Sequence, residues 1–327
     1  MRPQSPLRAV PAAVAAAGVL STTMTSHASA APVAAAVPTQ PAAAISLTVK
    51  DRSLRLGQVA VVSGRLATGA AGVPVRVEQL VRGAAGWARV ADTATGADGR
   101  FRVRARLQRS GLLRAVPIGV ATVASSASSA EAGGAVAGTT RVRVAARLSP
   151  SAVRRHVTAG RTARVAGTLK PAERGRVVTL QLRGRKGWRT VDRDRTDRAG
   201  RFRLVERLRE ARSVPARVRF RGDATNAAST RSLGRLNAYR FASASWYGPG
   251  LYGNPLGCGG RLSPGTVGVA HKTLPCGTRL TLRHRGHVVR TRVIDRGPFV
   301  AGREFDLTAA TKAKLGFGST GTVQVAH

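Results

Sequence analysis

Apolar and charged residues alternate along short stretches of this chain, as they do in β-strands with one buried face. Arginine alternates with apolar residues in three segments: R-F-R-V-R-A-R-L at 100–107, R-V-R-V at 141–144 and R-V-R-F-R at 217–221. Because successive side chains of a strand point to opposite faces, these segments predict strands with an apolar face and an arginine face. Turn signals such as Asp98-Gly99 separate the predicted strands.

The first two-thirds of the chain contains an internal repeat, with residues 44–146 resembling residues 147–238. Segments of the first copy recur in the second at offsets close to 101 residues: V-V-S-G-R-L (61–66) with R-V-A-G-T-L (164–169), G-W-A-R-V (86–90) with G-W-R-T-V (187–191), and G-R-F-R-V (99–103) with G-R-F-R-L (200–204). Copies of about 100 residues with short alternating strands predict two tandem β-sandwiches. Trp87 and Trp188 recur at the same repeat position, and we expect both in the sandwich cores, with stacking on a sugar as the alternative.

The second copy ends in a stretch, Phe220–Asp223, that resembles the end of a bacterial immunoglobulin-like repeat. That resemblance implies Ig-like modules that serve as spacers or wall-binding arms. Residues 31–43 are rich in Ala and Pro without periodicity, which predicts a linker.

The formal net charge of the 327-residue chain is +39, nearly all of it from arginine. Such a charge is typical of nucleic-acid-binding proteins, but the N-terminus argues against this class. Arg2 and Arg8 precede an apolar run, Ala9–Leu20, and Ala28-Ser29-Ala30 forms a small-residue cleavage site. This pattern predicts a signal peptide over residues 1–30; a non-cleaved anchor or an over-long start are the alternatives.

The rest of the chain has no apolar run long enough for a membrane span, so we expect a secreted or wall-associated protein without a transmembrane segment. Outside a cell, a polycation meets anionic wall polymers, and its basic surface would bind them in a salt-dependent manner. We expect no nucleic-acid partner.

The two cysteines, Cys258 and Cys276, both lie near the C-terminus. In an exported chain such a pair predicts a disulfide. Two free thiols, or half of a metal site, is the alternative. No cysteine lies near the predicted cleavage site, so no lipid anchor is expected.

Residues 239–327 carry four motifs in a fixed order: S-W-Y-G at 245–248, A-H-K-T-L-P-C-G-T at 270–278, D-R-G-P-F at 295–299 and G-R-E-F-D-L at 302–307. Together they resemble the RlpA-like family of septal lytic transglycosylases and related double-psi β-barrels, over about a quarter of the chain. The predicted fold is therefore all-β: two tandem Ig-like β-sandwiches (44–146 and 147–238) followed by a small double-psi β-barrel (239–327). The local pattern agrees, with alternating strands on both sides of Gly286 and a short helix from Thr308 to Gly316.

The resemblance implies a peptidoglycan lytic transglycosylase with Asp295 as the acid/base. Apolar neighbours on both sides of Asp295 predict a partly desolvated carboxyl group, as an acid role requires. From the residues alone, a salt bridge to Arg296 or a turn cap is the favoured role of Asp295, and only the family resemblance favours the catalytic role. His271 matches the motif histidine and is the second predicted catalytic residue, which would orient Asp295 or bind a sugar hydroxyl; a purely structural histidine is the alternative.

Substrate binding is assigned to Trp246, Tyr247, Lys272, Arg296 and Asp306. The aromatic pair would stack on a sugar ring, with core packing as the alternative for Trp246. A helix cap is the structural alternative for Asp306.

One departure from the family pattern bears on activity. Many RlpA-like enzymes have a glutamate eleven positions before the motif histidine, where this chain has Gly260. This favours a second hypothesis, a non-catalytic, expansin-like module that binds or loosens glycans. A third is a basic adhesin whose function resides in the sandwiches. No cofactor is expected, and no metal site, because His284 and His287 flank an arginine-containing turn.

Overall fold

The structure is a computed structural model that describes residues 45–118 and 138–327. Twenty-one β-strands and a single short helix make up the regular structure of these two ranges, which confirms the predicted all-β class. The predicted signal peptide (1–30) and linker (31–43) lie outside the described residues.

The first module is a sandwich of two sheets. Its strands are β1 (Ile45–Val49), β2 (Ser53–Arg55), β3 (Val59–Leu66), β4 (Pro74–Val81), β5 (Ala88–Ala94), β6 (Arg100–Arg106), β7 (Gly111–Pro117) and β8 (Thr139–Ala145). One sheet has the order β1-β3-β6 and the other β2-β8-β7-β4-β5. Both sheets contribute to one buried cluster, Val62 and Phe101 from the first and Val75, Leu113 and Val142 from the second.

The second module repeats this topology strand for strand. Its strands are β9 (Arg147–Arg154), β10 (His156–Thr158), β11 (Thr162–Lys170), β12 (Val177–Gly184), β13 (Gly187–Arg195), β14 (Arg201–Arg207), β15 (Arg212–Phe220) and β16 (Ser229–Tyr247). The sheet orders β9-β11-β14 and β10-β16-β15-β12-β13 are those of the first module with each strand number raised by eight. A second buried cluster, including Phe202, Leu204 and Phe220, fills this sandwich.

The predicted alternation is visible in β6, where Phe101 and Ala105 are buried and the arginines between and beside them are exposed. The two repeat tryptophans, in contrast, were wrongly predicted as core residues. Trp87 and Trp188 are half-buried, and each lies under an arginine side chain, with Arg114 4.3 Å from the ring centre of Trp87 and Arg217 4.1 Å from that of Trp188. Their large indole rings are therefore covered by cation–π contacts on the sheet surface.

The C-terminal module is a closed barrel of six strands. To the second half of β16 it adds β17 (Val269–Ala270), β18 (Arg279–His284), β19 (His287–Asp295), β20 (Phe305–Thr308) and β21 (Gly321–Ala326). The ring runs β16-β20-β17-β19-β18-β21 and closes where β21 pairs with β16. Leu282, Val293, Phe305 and Val325 are among the residues of its core.

The helix α1 (Ala309–Leu315) lies between the last two strands. As predicted, the Thr308 hydroxyl caps its N-terminus by accepting a hydrogen bond from the amide of Thr311, and Gly316 ends it in the left-handed conformation. The hairpin between β18 and β19 turns through Arg285 and Gly286, both with positive φ, which suits a two-residue turn.

The second sandwich and the barrel share a strand. The 19-residue strand β16 pairs with β15 of the sandwich and then with β20 and β21 of the barrel. Further contacts join the modules: the Ser213 amide donates to the carbonyl of His327, and the Thr281 hydroxyl lies 3.2 Å from that of Ser213. The predicted boundary between residues 238 and 239 thus falls within a continuous strand.

Candidate functional site

A row of register partners, the polar row, crosses four neighbouring strands of the barrel and carries polar side chains on three of them. Register pairs Ser245 of β16 with Asp306 of β20, Asp306 with Ala270 of β17, and Ala270 with Asp295 of β19. Paired residues of neighbouring strands share a face, so the two aspartates face the same side, with Cα atoms about 10 Å apart at two strand spacings. A β-bulge shifts the β17–β19 register so that Asp295, and not Ile294, pairs with Ala270. Bulges of this kind re-aim side chains next to functional sites.

Asp295 is half-buried at the end of β19, and backbone amides fix its carboxylate. Its Oδ1 atom accepts hydrogen bonds from the amide of Gly257 at 2.7 Å and from its neighbour Arg296 at 2.8 Å. Both donors use Oδ1, which leaves Oδ2 without a backbone donor. A Cβ atom at Gly257 would lie 3.1 Å from Oδ1, so this close approach depends on glycine.

A disulfide joins Cys258 to Cys276, which confirms the predicted bond. Cys258 directly follows Gly257, and its amide donates to the carbonyl of Ile294 at 3.2 Å. The disulfide therefore fastens the Gly257 loop to the end of β19, where the Asp295 carboxylate is held.

Arg296, predicted to bind substrate, is engaged in structural contacts. Its guanidinium donates to the carbonyls of His271 at 3.1 Å and Leu274 at 2.7 Å. A third contact of the guanidinium, from Nη2, reaches the sulfur of Cys276 at 3.1 Å. Arg296 thus braces the loop from His271 to the disulfide.

The backbone defines the orientation of the His271 ring. Its Nδ1 atom accepts hydrogen bonds from the amides of Thr273 at 3.1 Å and Leu274 at 3.0 Å, so the proton of the neutral ring is on Nε2. Nε2 points to Glu304, with 3.8 Å to Oε1. Burial lowers the pKa of His271, against the opposing effect of Glu304. Among the described residues the ring makes no hydrogen bond to the Asp295 carboxylate; the two are linked by the His271 amide, which donates to the Asp295 carbonyl at 3.2 Å.

Glu304 and Arg240 complete this side of the site, although neither was predicted as a site residue. Arg240 binds both carboxylate oxygens of Glu304, with Nη1 2.8 Å from Oε2 and a second, short contact from Nη2 to Oε1. The same contact raises the pKa of Arg240. A bidentate pair of this type is strong and directional. The result is a fixed Arg240–Glu304–His271 array beside the polar row.

Tyr247 lies close to the two aspartates. Its hydroxyl is buried and has no partner with hydrogen-bond geometry in the described ranges. Burial, and next the nearby Asp295 carboxylate, raise the pKa of Tyr247, with Asp306 adding to the effect. The hydroxyl therefore stays protonated and is available as a hydrogen-bond donor.

The other predicted substrate-binding residues occupy different settings. Trp246 packs against the barrel core, and the ammonium of Lys312 lies 3.6 Å from its ring centre, so one face of the ring is already covered. Lys272 is exposed next to His271. The suggestion that Asp306 caps the helix was wrong, because Thr308 is the cap and Asp306 instead accepts a short contact from the Ser245 hydroxyl.

Gly260 occupies a turn in which its φ is +84°. No atom lies within 4 Å of the position that a Cβ atom would take at this residue. A glutamate would fit sterically but would be strained in this left-handed conformation.

Within residues 45–118 and 138–327, no three His, Cys, Asp or Glu side chains are grouped to hold a metal ion. No helix in those ranges has the length and apolar character needed to cross a membrane.

Comparison with known proteins gives the barrel a family. The family described as "Lytic transglycolase" matches residues 240–327. The protein named "Endolytic peptidoglycan transglycosylase RlpA" of Pseudomonas aeruginosa is 42% identical over 91 residues, 27% of each chain. "Probable endolytic peptidoglycan transglycosylase RlpA" of Synechocystis sp. is 42% identical over 85 residues, 25% of this chain and 26% of that protein. Residues 240–327 are thus an RlpA-like double-psi β-barrel.

These matches span about a quarter of the length of the two curated relatives. Among solved structures, a tetra-tandem repeat from the extending region of a large adhesion protein aligns with 80% of this chain and 66% of that chain, at 15% identity and a TM-score of 0.32. That score is too low to support an argument.

Proposed function

We propose that the protein is exported to the cell wall and cleaves peptidoglycan glycan strands as a lytic transglycosylase, with Asp295 as its acid/base. The observation that carries this proposal is the half-buried Asp295 carboxylate, fixed by two backbone amides, in a barrel that matches the lytic transglycolase family. The N-terminal signal-peptide pattern supports export.

Glycosidic cleavage requires a proton for the leaving oxygen and stabilisation of an oxocarbenium-like centre. In the proposed reaction, protonated Asp295 donates its proton to the glycosidic oxygen as the C1–O bond breaks. The resulting carboxylate then accepts the proton of the C6 hydroxyl of the same sugar, whose oxygen bonds to C1. The products are a new 4-hydroxyl end and a 1,6-anhydro end, and no water is consumed. A single carboxyl group therefore serves both steps.

The fixed Oδ1 atom allows Oδ2 to be the oxygen that exchanges the proton with substrate. Tyr247 supports this role, since its hydroxyl has no partner among the described residues and lies near enough to Asp295 to be affected by its charge. A sugar oxygen placed between the two groups would supply the missing partner. In the same proposal Asp306, which belongs to the polar row, binds a sugar hydroxyl.

His271 has a supporting role in this proposal. Because Nδ1 is occupied by backbone amides, only Nε2 can donate to a sugar hydroxyl or to Glu304. The bidentate Arg240–Glu304 pair holds the acceptor in place. In this proposal His271 and Glu304 position the substrate, and Asp295 exchanges the proton with the leaving group.

A non-catalytic, expansin-like glycan-binding module is the second candidate. It is favoured by Gly260, which stands where many family members have a glutamate and adopts a positive φ. On this hypothesis the same row of polar residues binds glycan but leaves the bond intact.

The proposal also includes retention of the protein on anionic wall polymers. It is supported by the net charge of +39 and by strand faces such as that of β6, whose four arginines are exposed. Attraction of this kind weakens as salt rises.

The decisive experiment is digestion of purified peptidoglycan, intact and stripped of stem peptides, with products identified by mass spectrometry. The wild-type protein and a control variant, Asp51→Asn, should release fragments with anhydro ends; Asp51 is an exposed residue of the first sandwich. Asp295→Asn should release none. Reducing ends would indicate hydrolysis, and co-sedimentation without cleavage would favour the binding module.

A further inference from the structure

A cationic cavity lies where the second sandwich meets the barrel. Its volume is about 480 Å³, within the usual range for small-ligand sites. The lining consists of five residues with cationic or imidazole side chains and four uncharged ones: Arg154, His156, Arg161, Arg164 and Arg283, with Val157, Thr158, Thr162 and Gln324. No acidic residue is among them.

Two of these arginines face each other directly. Arg154 of β9 and Arg164 of β11 are register partners in an antiparallel pair. Like charges at directly opposed positions destabilise a sheet. Neither guanidinium, nor that of Arg161, forms a hydrogen bond or ion pair with any residue the structure describes. The sheet therefore concentrates uncompensated positive charge at the cavity.

His156 is fixed so that its free nitrogen is a donor. Its Nδ1 atom lies 2.8 Å from the hydroxyl of buried Tyr239 and 3.4 Å from the side-chain amide nitrogen, Nδ2, of Asn237. Since that amide nitrogen can only donate, Nδ1 is an acceptor and the ring proton is on Nε2. Burial, and next the charges of Arg283 and Arg155, lower the pKa of His156. The neutral ring thus offers an N–H without adding a charge.

The barrel supplies the remaining wall of the cavity. Arg283 of β18 is held by Gln324 of β21, whose Oε1 accepts from Nη1 at 2.7 Å. Both residues line the cavity. A ligand that bound all the cations would therefore contact two modules at once.

We propose that this cavity binds a phosphate group between the second sandwich and the barrel. Four guanidinium groups and one imidazole N–H match the several oxygens and the high negative charge of phosphate, for which arginine forks are suited. Phosphate directs its oxygens tetrahedrally toward donors on several walls of the cavity, whereas the two oxygens of a lone carboxylate lie in one plane. The site is separate from the Asp295 row and does not depend on whether the barrel cleaves glycan.

The test is isothermal titration calorimetry of the full chain at low ionic strength with inorganic phosphate, and in a second arm with a soluble glycerol phosphate polymer. Phosphate should bind at one site per chain, and Arg154→Gln with Arg164→Gln should weaken it at least tenfold. Arg283→Gln should also weaken it, because the barrel forms part of the site. Arg104→Gln with Arg106→Gln removes the same charge from exposed positions of β6 and should leave the affinity unchanged.

The two arms separate the sources of the ligand. Binding of the polymer that is lost in the cavity variants identifies a wall phosphodiester, whereas binding of inorganic phosphate alone identifies a free phosphate. The proposal is overturned if neither probe shows saturable binding, if acetate binds as well as phosphate, or if the control pair loses as much affinity as the cavity pair. Unfolding of the Arg154/Arg164 variant pair without phosphate provides the folding check: it should melt no lower than wild type, since a like-charge contact has been removed.

Discussion

Removal of the disulfide should destabilise the barrel by a predictable amount. The bond between Cys258 and Cys276 spans 18 positions, and the chain-entropy relation for a loop of that length gives about 3 kcal/mol. The change, Cys258→Ser with Cys276→Ser, also frees the Gly257 loop, which is otherwise held to β19 at the Asp295 carboxylate. The free energy of unfolding should therefore fall, and the Asp295 carboxylate should be held less firmly.

The assay is urea unfolding followed by the fluorescence of Trp246, the tryptophan that packs against the barrel core. Trp87→Phe and Trp188→Phe are introduced first, so that the signal reports on the barrel and not on the sandwiches. With a slope of about 1–3 kcal/mol per molar urea, a loss of about 3 kcal/mol lowers the midpoint by roughly 1–3 M.

Reduction of the wild-type disulfide supplies an independent control, because it should give the same midpoint as the double serine variant. A loss below about 1 kcal/mol by both routes would refute the reasoning. It would mean that the unfolded loop is already restricted without the bond, or that the contacts of Arg296 hold the loop by themselves.

Three further predictions concern single side chains of the site. Gly257→Ala would place a Cβ against the Asp295 Oδ1 atom and so disturb the hydrogen bond from the Gly257 amide. Because a hydrogen bond to a charged group contributes about 1.5–3 kcal/mol, kcat/KM on glycan strands should fall about ten- to a hundredfold. The control is Gly265→Ala, where a Cβ meets no atom within 4 Å. Burial lowers the pKa of His271 from its usual 6.5, so the unfolded chain binds more protons than the native state and the free energy of unfolding falls as pH drops below that value. His271→Gln should lose less of this free energy than wild type between about pH 7 and about pH 5 in denaturant unfolding. An equal loss in the variant and wild type would contradict a lowered pKa of His271. Tyr247→Phe removes a buried hydroxyl that has no partner with good hydrogen-bond geometry in the described residues but interacts with the Asp295 carboxylate. It should lower kcat/KM on glycan strands while changing the free energy of unfolding by no more than about 1 kcal/mol, and unchanged activity would contradict a role in substrate binding.

The sequence predicted the fold class well because period-two alternation is a direct consequence of strand geometry. The alternation at residues 100–107 corresponds to β6, and the residues proposed for the helix cap are the ones that cap it. The continuity of β16 through both modules could not be predicted, because pairing partners on either side are set by tertiary contacts that no local pattern encodes. The prediction of a core position for Trp87 was wrong for a related reason. A recurring tryptophan beside strand residues does not reveal that an arginine from another strand covers its ring.

Site residues could be named from their motifs, but their contacts could not. Asp295 lies in the polar row, while Arg296, its neighbour in the same motif, braces a loop through carbonyls far along the chain. Glu304 and Arg240 were missed because they are 64 residues apart and meet only through the pairing of β16. A possible signal was the acidic residue inside the G-R-E-F-D-L motif, in a domain with few acids. The role of Asp295, like the other site roles, stays a prediction.

The most direct test of the central claim is digestion of peptidoglycan in water labelled with heavy oxygen. Since the C6 hydroxyl of the sugar attacks C1 in the proposed reaction, the released anhydro ends should carry no label, and Asp295→Asn should release no ends at all. New reducing ends in place of anhydro ends would show that water attacks C1, and unchanged cleavage by Asp295→Asn would show that another group is the acid. Either result would contradict the account.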